Sequence, residues 1–522
     1  MILSMSMTAF AAEAPKGTLT VNNTVAGKTL DLYQIFTATK NGDNVAYTLN
    51  SAYEGFFKNN TRIPGSESLT GEALSEKAYE YVKTQVGTDG KSGTGFAKEI
   101  LGWILENATT VATTHTTATT TAGSTVISGL EYGYYVVYPL GATDTSAAPG
   151  EQDYTSVASL VSVTGDTSIN MKSNYPTVVK KVNDKNADDV NIGDTVTYTL
   201  TSKVPDMTGY TSYVFNFKDT LSAGLTFKEI TSVKVGETTI TKVDAGQEAD
   251  NTYTLTQDGQ NITIKMNNFL ASNKDNTGKE IKVTYTATLN KDAVTGFDAN
   301  KNSATVEYSN KPGTDNKGES EPSIVDVHTF NFTIFKYYLK DETKTGLAKA
   351  EFELYKANEA GDAADTNAKI NIVKVKDGEY RQATPEEAAA EGFKSDVIVS
   401  GTDGKVLVKG LDAGTYYLRE TKAPEGYNKL LSDIKVEIKA NYDETTGKLT
   451  SYSVDYTYNG TTTTGTAITN KDNSPEVAVE NKTGAQLPST GSKGALMVTL
   501  AGIVLFGALT ASKAFGKKKA KN

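Results

Sequence analysis

Val196-Thr-Tyr-Thr-Leu200 is the stretch that decides the fold: β-branched and aromatic residues alternate at a period of two, with no helical spacing. The pattern recurs at Tyr253-Thr-Leu255, Ile262-Thr-Ile-Lys-Met266 and Val283-Thr-Tyr-Thr-Ala287. Gly, Asp and Asn turns punctuate these segments, as between the short strands of a β-sandwich. Across the 522 residues, 28 Tyr and 45 Gly favour strands and turns. The expected class is all-β: three tandem immunoglobulin-like sandwiches, since 522 residues exceed a single core. Two segments, Glu72 to Gln85 and Phe96 to Glu106, carry helical spacing instead and are expected as an insertion packed on the first domain's sheet.

Boundaries are placed where apolar alternation lapses. The domains are expected at 13–172, 175–320 and 327–471, with a linker at 472–486 and the polar stretch Lys311–Pro322 separating the second from the third. The Thr-rich run Thr109 to Thr121 is expected as an exposed loop.

Composition narrows function. A net charge of −10 without a basic domain argues against nucleic acid as a partner. There are no cysteines and only two histidines, His115 and His328, so metal centres and Ser-His-Asp catalysis are poorly supported. Both histidines are expected in structural roles, and no cofactor is expected. No acid pair in a cleft suggests a hydrolase.

The ends speak to compartment. Residues 1–12 read as a shortened signal peptide, with Ala9-Phe10-Ala11 as a small-x-small cleavage pattern. At the other end, Leu487-Pro488-Ser489-Thr490-Gly491 precedes an apolar run from Ala495 to about Ser512, closed by Lys517, Lys518, Lys519 and Lys521. Such a run is long enough to span a bilayer with its lysines held inside. It reads as a tail anchor, or as a transient tether. The ordered triplet of pentapeptide, span and basic tail over 487–522 resembles the cell-wall sorting signal of Gram-positive surface proteins. That resemblance implies that a sortase cysteine attacks the Thr490 carbonyl, releases Gly491 onward and leaves an acyl-enzyme for an amine to resolve.

Three polar residues face inward in the second domain. Alternation puts Lys180 with Val178 and Val182, Asp219 with Tyr213, Phe215 and Phe217, and Asn310 with Val306 and Tyr308. The third domain repeats the order: Lys336 with Phe330, Phe332 and Ile334, Glu420 with Tyr416 and Leu418, and Asn470 with Ile468. Any one lysine or acid alone reads as half of a buried salt bridge. The repeated order of lysine, acid and asparagine resembles the isopeptide-forming domains of Gram-positive pilins and collagen-binding adhesins. Glu420-Thr-Lys-Ala-Pro-Glu-Gly-Tyr427 resembles the pilin "E-box", and Lys218-Asp-Thr-Leu-Ser-Ala-Gly-Leu225 is similar to a middle-domain signature. The resemblance implies Lys180–Asn310 and Lys336–Asn470 crosslinks promoted by Asp219 and Glu420. In the first domain Pro139 of Gly133-Tyr-Tyr-Val-Val-Tyr-Pro139 stands in the acid's place and Thr18-Leu-Thr-Val-Asn22 lacks an inward lysine, so no crosslink is expected there.

As a whole the chain resembles the major, or backbone, subunit of a sortase-assembled pilus. The implied partners are further copies of itself, a pilin-type sortase, a housekeeping sortase with peptidoglycan, minor pilins and an unidentified surface ligand; the implied location is the Gram-positive cell wall. Its intersubunit lysine is expected at Lys172, near Tyr175-Pro176, with Lys181 as runner-up. A monomeric wall-anchored adhesin would share everything except a linking lysine.

Overall fold

The computed structural model describes residues 15–87, 93–144, 157–171 and 173–483. The shortened signal peptide, Lys172 and the whole of Leu487-Pro488-Ser489-Thr490-Gly491 with its tail lie outside the described residues. Among the described residues no helix is long and apolar enough to cross a membrane.

Strands dominate, arranged as three units in series. In the first unit the long strand Thr29–Asn41 lies centrally, paired with Asn44–Leu49 and Gly133–Pro139. This sheet is buried on both faces. Leu30, Leu32, Tyr135, Val137 and Val161 pack on the smaller sheet built on Lys16–Thr24. Tyr33, Ile35, Val136 and Tyr138 face the opposite way, against helices Gly71–Val86 and Thr94–Glu106. The second helix turns Phe96, Ala97, Ile100, Leu101 and Ile104 toward that sheet, the i, i+3, i+4 set that made it legible.

The Thr-rich run differs from expectation. His115–Thr119 is a strand on the edge of the first unit's sheet, paired antiparallel with Thr29–Asn41. Its side chains are mostly exposed, so no apolar alternation marks it; β-branched Thr and backbone pairing hold it. His115 stacks on Tyr33 with centroids 4.6 Å apart and sits 3.0 Å from Asp31.

The middle unit is a two-sheet sandwich. One sheet contains Val179–Val182, Thr195–Lys203, Glu280–Leu289 and Leu225–Val235. The other centres on Asn300–Ser309 between Phe215–Leu221 and Ser323–His328. The stretch 311–322 is therefore not a linker: Lys317–Glu319 pairs with Asn300–Ser309, and the sheet continues through His328. Its polar composition reflects an exposed edge hairpin, not a domain boundary. His328 is buried and stacks with Phe330 where the second unit meets the third.

The third unit opens with Phe330–Lys340, and here the expected linker is also corrected. Glu476–Glu480 runs parallel to that opening strand, with Lys336 opposite Val479. Residues 472–483 thus complete the third sandwich. Only Val477 and Val479 carry the apolar signal, too short a run between glutamates and Pro475 to read as a strand.

Candidate crosslinking centres

Lys180, Asp219 and Asn302 meet in the middle sandwich, each no more than 2% exposed. The lysine strand Val179–Val182 sits in one sheet; the acid strand Phe215–Leu221 and the asparagine strand Asn300–Ser309 belong to the other. Strand register decides which asparagine arrives. Asp219 lies opposite Ala304 and Leu221 opposite Asn302, so Asn302 is next to the acid on the inward face. Asn310 shares that parity but lies beyond the strand's last residue, Ser309. Its Cβ and backbone pack against Gly141 of the first unit instead, and its own Oδ1 is buried there without a hydrogen-bond partner. The structure thus brings Asn302, and not the expected Asn310, to the centre that holds Lys180 and Asp219.

Lys180 Nζ makes a short contact with Asp219 Oδ2 and donates to the Tyr285 hydroxyl at 2.8 Å. Tyr285 in turn donates to Asp219 Oδ2 at 2.9 Å and accepts from Asn302 Nδ2 at 2.7 Å. The tyrosine hydroxyl is the hub of the centre, and alternation alone did not single it out. Tyr285 is held by its cross-strand partner Tyr198, with rings stacked 5.1 Å apart. The ammonium lies 5.0 Å and 5.2 Å from these two ring centroids.

Burial pushes Lys180 down to about 8, the nearby Asp219 carboxylate only partly opposing it. Burial raises Asp219 above the ordinary carboxylate range. Both shifts favour the neutral amine and the protonated acid. Asp219 Oδ1 and Asn302 Oδ1 are both buried without a hydrogen-bond partner. A proton on the acid is the group that a bare amide oxygen lacks.

The third sandwich holds the same trio in another register. Lys336 is fully buried, and its Nζ lies 2.9 Å from Glu420 Oε1, at an angle too poor for a hydrogen bond. Glu420 Oε2 accepts from the Leu430 backbone at 2.7 Å, and Oε1 from Asn481 Nδ2 at 3.3 Å. Asn481 continues the inward face of Val477 and Val479, and its backbone donates to Tyr337 at 2.8 Å. Its Oδ1 is buried and unpartnered. Burial lowers Lys336 to about 8 against the pull of Glu420.

Asn470, the residue expected here, is exposed in a turn where its Oδ1 accepts from the Asp472 backbone at 3.1 Å. Asn481 was missed because its strand read as linker; the Val477-x-Val479-x-Asn481 alternation was the available signal. Of the lysine candidates for joining subunits, Lys181 is half-buried rather than exposed, and its Nζ donates to Asn186 Oδ1 at 2.6 Å. Among the described residues no cluster of His, Asp or Glu could hold a metal.

Comparison with known proteins places these two sandwiches. Residues 192–312 match the family profile of the Gram-positive pilin backbone subunit 2, Cna-B-like domain. Residues 333–453 match that of the SpaA prealbumin-like fold domain. The chain is similar to the trypsin-resistant surface T6 protein of Streptococcus pyogenes serotype M6, with 26% identity over 328 residues, 56% of this chain and 51% of the relative. It is likewise similar to the fimbrial subunit type 2 of Actinomyces naeslundii, with 28% identity over 268 residues and 48% of each chain. The chain thus spans about half the length of both relatives. A solved structure of the T6 backbone pilin superposes at a TM-score of 0.47 with 18% identity, covering 91% of this chain and all of that one.

Proposed function

We propose that this chain, which by its domains belongs with the Gram-positive backbone pilins, is the repeating shaft subunit of a cell-surface pilus, a structural protein rather than a metabolic enzyme. The observation that carries the reading is the pair of buried lysine–acid–asparagine centres, which would tie the opening strand of each later sandwich to a strand near its end.

The chemistry follows from the neutral states that burial favours. Lys180 Nζ attacks Asn302 Cγ while the Asp219 proton moves to the amide oxygen. The new C–N bond forms, the Cγ–Nδ2 bond breaks, and the nitrogen departs as ammonia with a proton from the amine. Asp219 recovers its proton as the carbonyl re-forms, so the acid is unchanged and the reaction runs once per domain. In the third sandwich Lys336 is the corresponding amine and Asn481 the corresponding amide, with Glu420 beside both. Such a bond resists reduction, which suits an extracellular chain without cysteine.

In this reading a pilin-type sortase cleaves after Thr490 and joins it to a lysine of the next copy. Lys172 is the candidate amine, and a housekeeping sortase finally transfers the polymer to peptidoglycan. Minor pilins and a surface ligand complete the expected partners. Wall extracts test the proposal. A high-mass, SDS-resistant ladder that disappears in Lys172→Ala, with monomer still secreted, is expected. A single band from the unaltered protein would instead assign a wall-anchored monomer.

A further inference from the structure

A crosslink formed with loss of ammonia has to carry a proton from the attacking nitrogen to the departing one. In the middle sandwich both nitrogens already bond to the same oxygen. Lys180 Nζ donates to the Tyr285 hydroxyl at 2.8 Å, and Asn302 Nδ2 donates to it at 2.7 Å. The hydroxyl directs its own proton to Asp219 Oδ2, 2.9 Å away. A phenol has one proton to give and two lone pairs to receive with, so these three bonds saturate it and fix its place. Tyr285 is 1% exposed on strand Glu280–Leu289, where bulk water cannot serve as the carrier.

The third centre is built differently. Among the described residues no hydroxyl bonds to Lys336 or Asn481, and the ring nearest the amine is that of Phe352, its centroid 5.8 Å from Nζ. There Glu420 Oε1 faces both nitrogens itself, 2.9 Å from Lys336 Nζ and 3.3 Å from Asn481 Nδ2. Asp219 is one methylene shorter, and it bonds to Lys180 and Tyr285 but not to Asn302. The tyrosine oxygen stands where the longer acid reaches unaided.

We propose that Tyr285 is a catalytic residue of the middle crosslink, the relay that moves the proton from Lys180 to the leaving ammonia, an inference that rests on the crosslinking reading above. As Lys180 Nζ bonds to Asn302 Cγ it becomes cationic, and the tetrahedral carbon frees the lone pair of Nδ2. The Tyr285 oxygen takes one proton from Nζ while its O–H turns from Asp219 and passes its proton to Nδ2. The Cγ–Nδ2 bond breaks, ammonia leaves, and the hydroxyl is restored with nothing oxidised or reduced. Burial keeps the Tyr285 hydroxyl titrating well above its ordinary range, so the two transfers occur together and no phenolate is left behind.

Recombinant full chain, labelled in a short isotope pulse during expression, tests the relay by intact mass and peptide mapping at intervals. The unaltered chain is expected to reach both losses, about 34 Da. Tyr285→Phe is expected to lose about 17 Da from the third sandwich at the unaltered rate, and to form the Lys180–Asn302 bond about a hundredfold more slowly. Tyr198→Phe is the matched control. It deletes a buried hydroxyl from the same ring stack, one that makes no hydrogen bond, and is expected to crosslink as fast as the unaltered chain. An unslowed Tyr285→Phe overturns the relay while the crosslink stands. Equal slowing in both phenylalanine variants, or lost hydrogen-exchange protection along Glu280–Leu289 in Tyr285→Phe, assigns the hydroxyl a packing role and overturns the relay too. An unaltered chain that never joins Lys180 to Asn302 overturns the crosslink itself, and the relay with it.

Discussion

At the scale of single residues, the two centres each bring a buried lysine, a buried acid and a buried asparagine together. A buried ammonium or carboxylate is costly, and removing one member of such a pair costs about 3–5 kcal/mol. Asn302 and Asn481 each add a buried amide oxygen with no donor. If the crosslinks form, a fragment covering 175–483 weighs about 34 Da less than its sequence, two ammonia losses. Intact-mass spectrometry of Asn302→Ala and Asn481→Ala should restore about 17 Da each, whereas Asn310→Ala and Asn470→Ala should restore none. Full sequence mass in the unaltered fragment removes the proposal. The uncrosslinked variants also predict a pH dependence. In Asn481→Ala, Lys336 remains a free amine whose folded value, about 8, lies below its unfolded 10.5. Between those values the unfolded chain binds more protons, so the lysine makes stability rise with pH from about 8 toward 10.5. Chemical denaturation at pH 8 and pH 10 measures it. A flat profile would show that Lys336 is not desolvated.

At the scale of elements, the terminal strand Glu476–Glu480 matters most, because it completes the sheet and delivers Asn481 to Glu420. Bridging Lys336 to Asn481 closes a loop of more than a hundred residues, which the chain-entropy model equates with about 4–5 kcal/mol. Glu420→Ala should therefore lower the melting temperature and open the third sandwich to trypsin. Ending the chain at Asp472 removes Val477 and Val479 from the core as well, so it should destabilise more than Glu420→Ala. Equal melting of the two variants would mean that the strand contributes only its asparagine. The Thr-rich edge strand His115–Thr119 carries the converse lesson: it pairs through its backbone, with few buried side chains to reveal it.

On the scale of the whole molecule, the second and third sandwiches meet through hydrogen bonds centred on Asp189. Its Oδ1 accepts from the Ala413 backbone at 2.7 Å and its Oδ2 from the Tyr442 hydroxyl at 2.8 Å. The Ile192 backbone donates to Gly410 at 3.0 Å beside them. A shaft under load gains from a seam that resists bending, and small interdomain interfaces otherwise permit motion. Asp189→Ala should broaden the distribution of molecular dimensions in small-angle X-ray scattering while both mass losses persist. A profile identical to the unaltered chain would place the seam's stiffness elsewhere.

Periodicity by itself determined the β class and the inward aim of Lys180, Asp219, Lys336 and Glu420, because one strand's parity depends only on its own residues; helical spacing over Glu72 to Gln85 and Phe96 to Glu106 likewise marked the helices found at Gly71–Val86 and Thr94–Glu106. It could not choose among asparagines of equal parity. Asn302 and Asn310 point the same way, and only the pairing of Leu221 with Asn302 shows which one reaches the acid. Asn481 depended on a parallel pairing between strands far apart in sequence, and Tyr285 on the opposite sheet packing across the core. Face is a local property of the chain; register and sheet-to-sheet contact belong to the assembled fold.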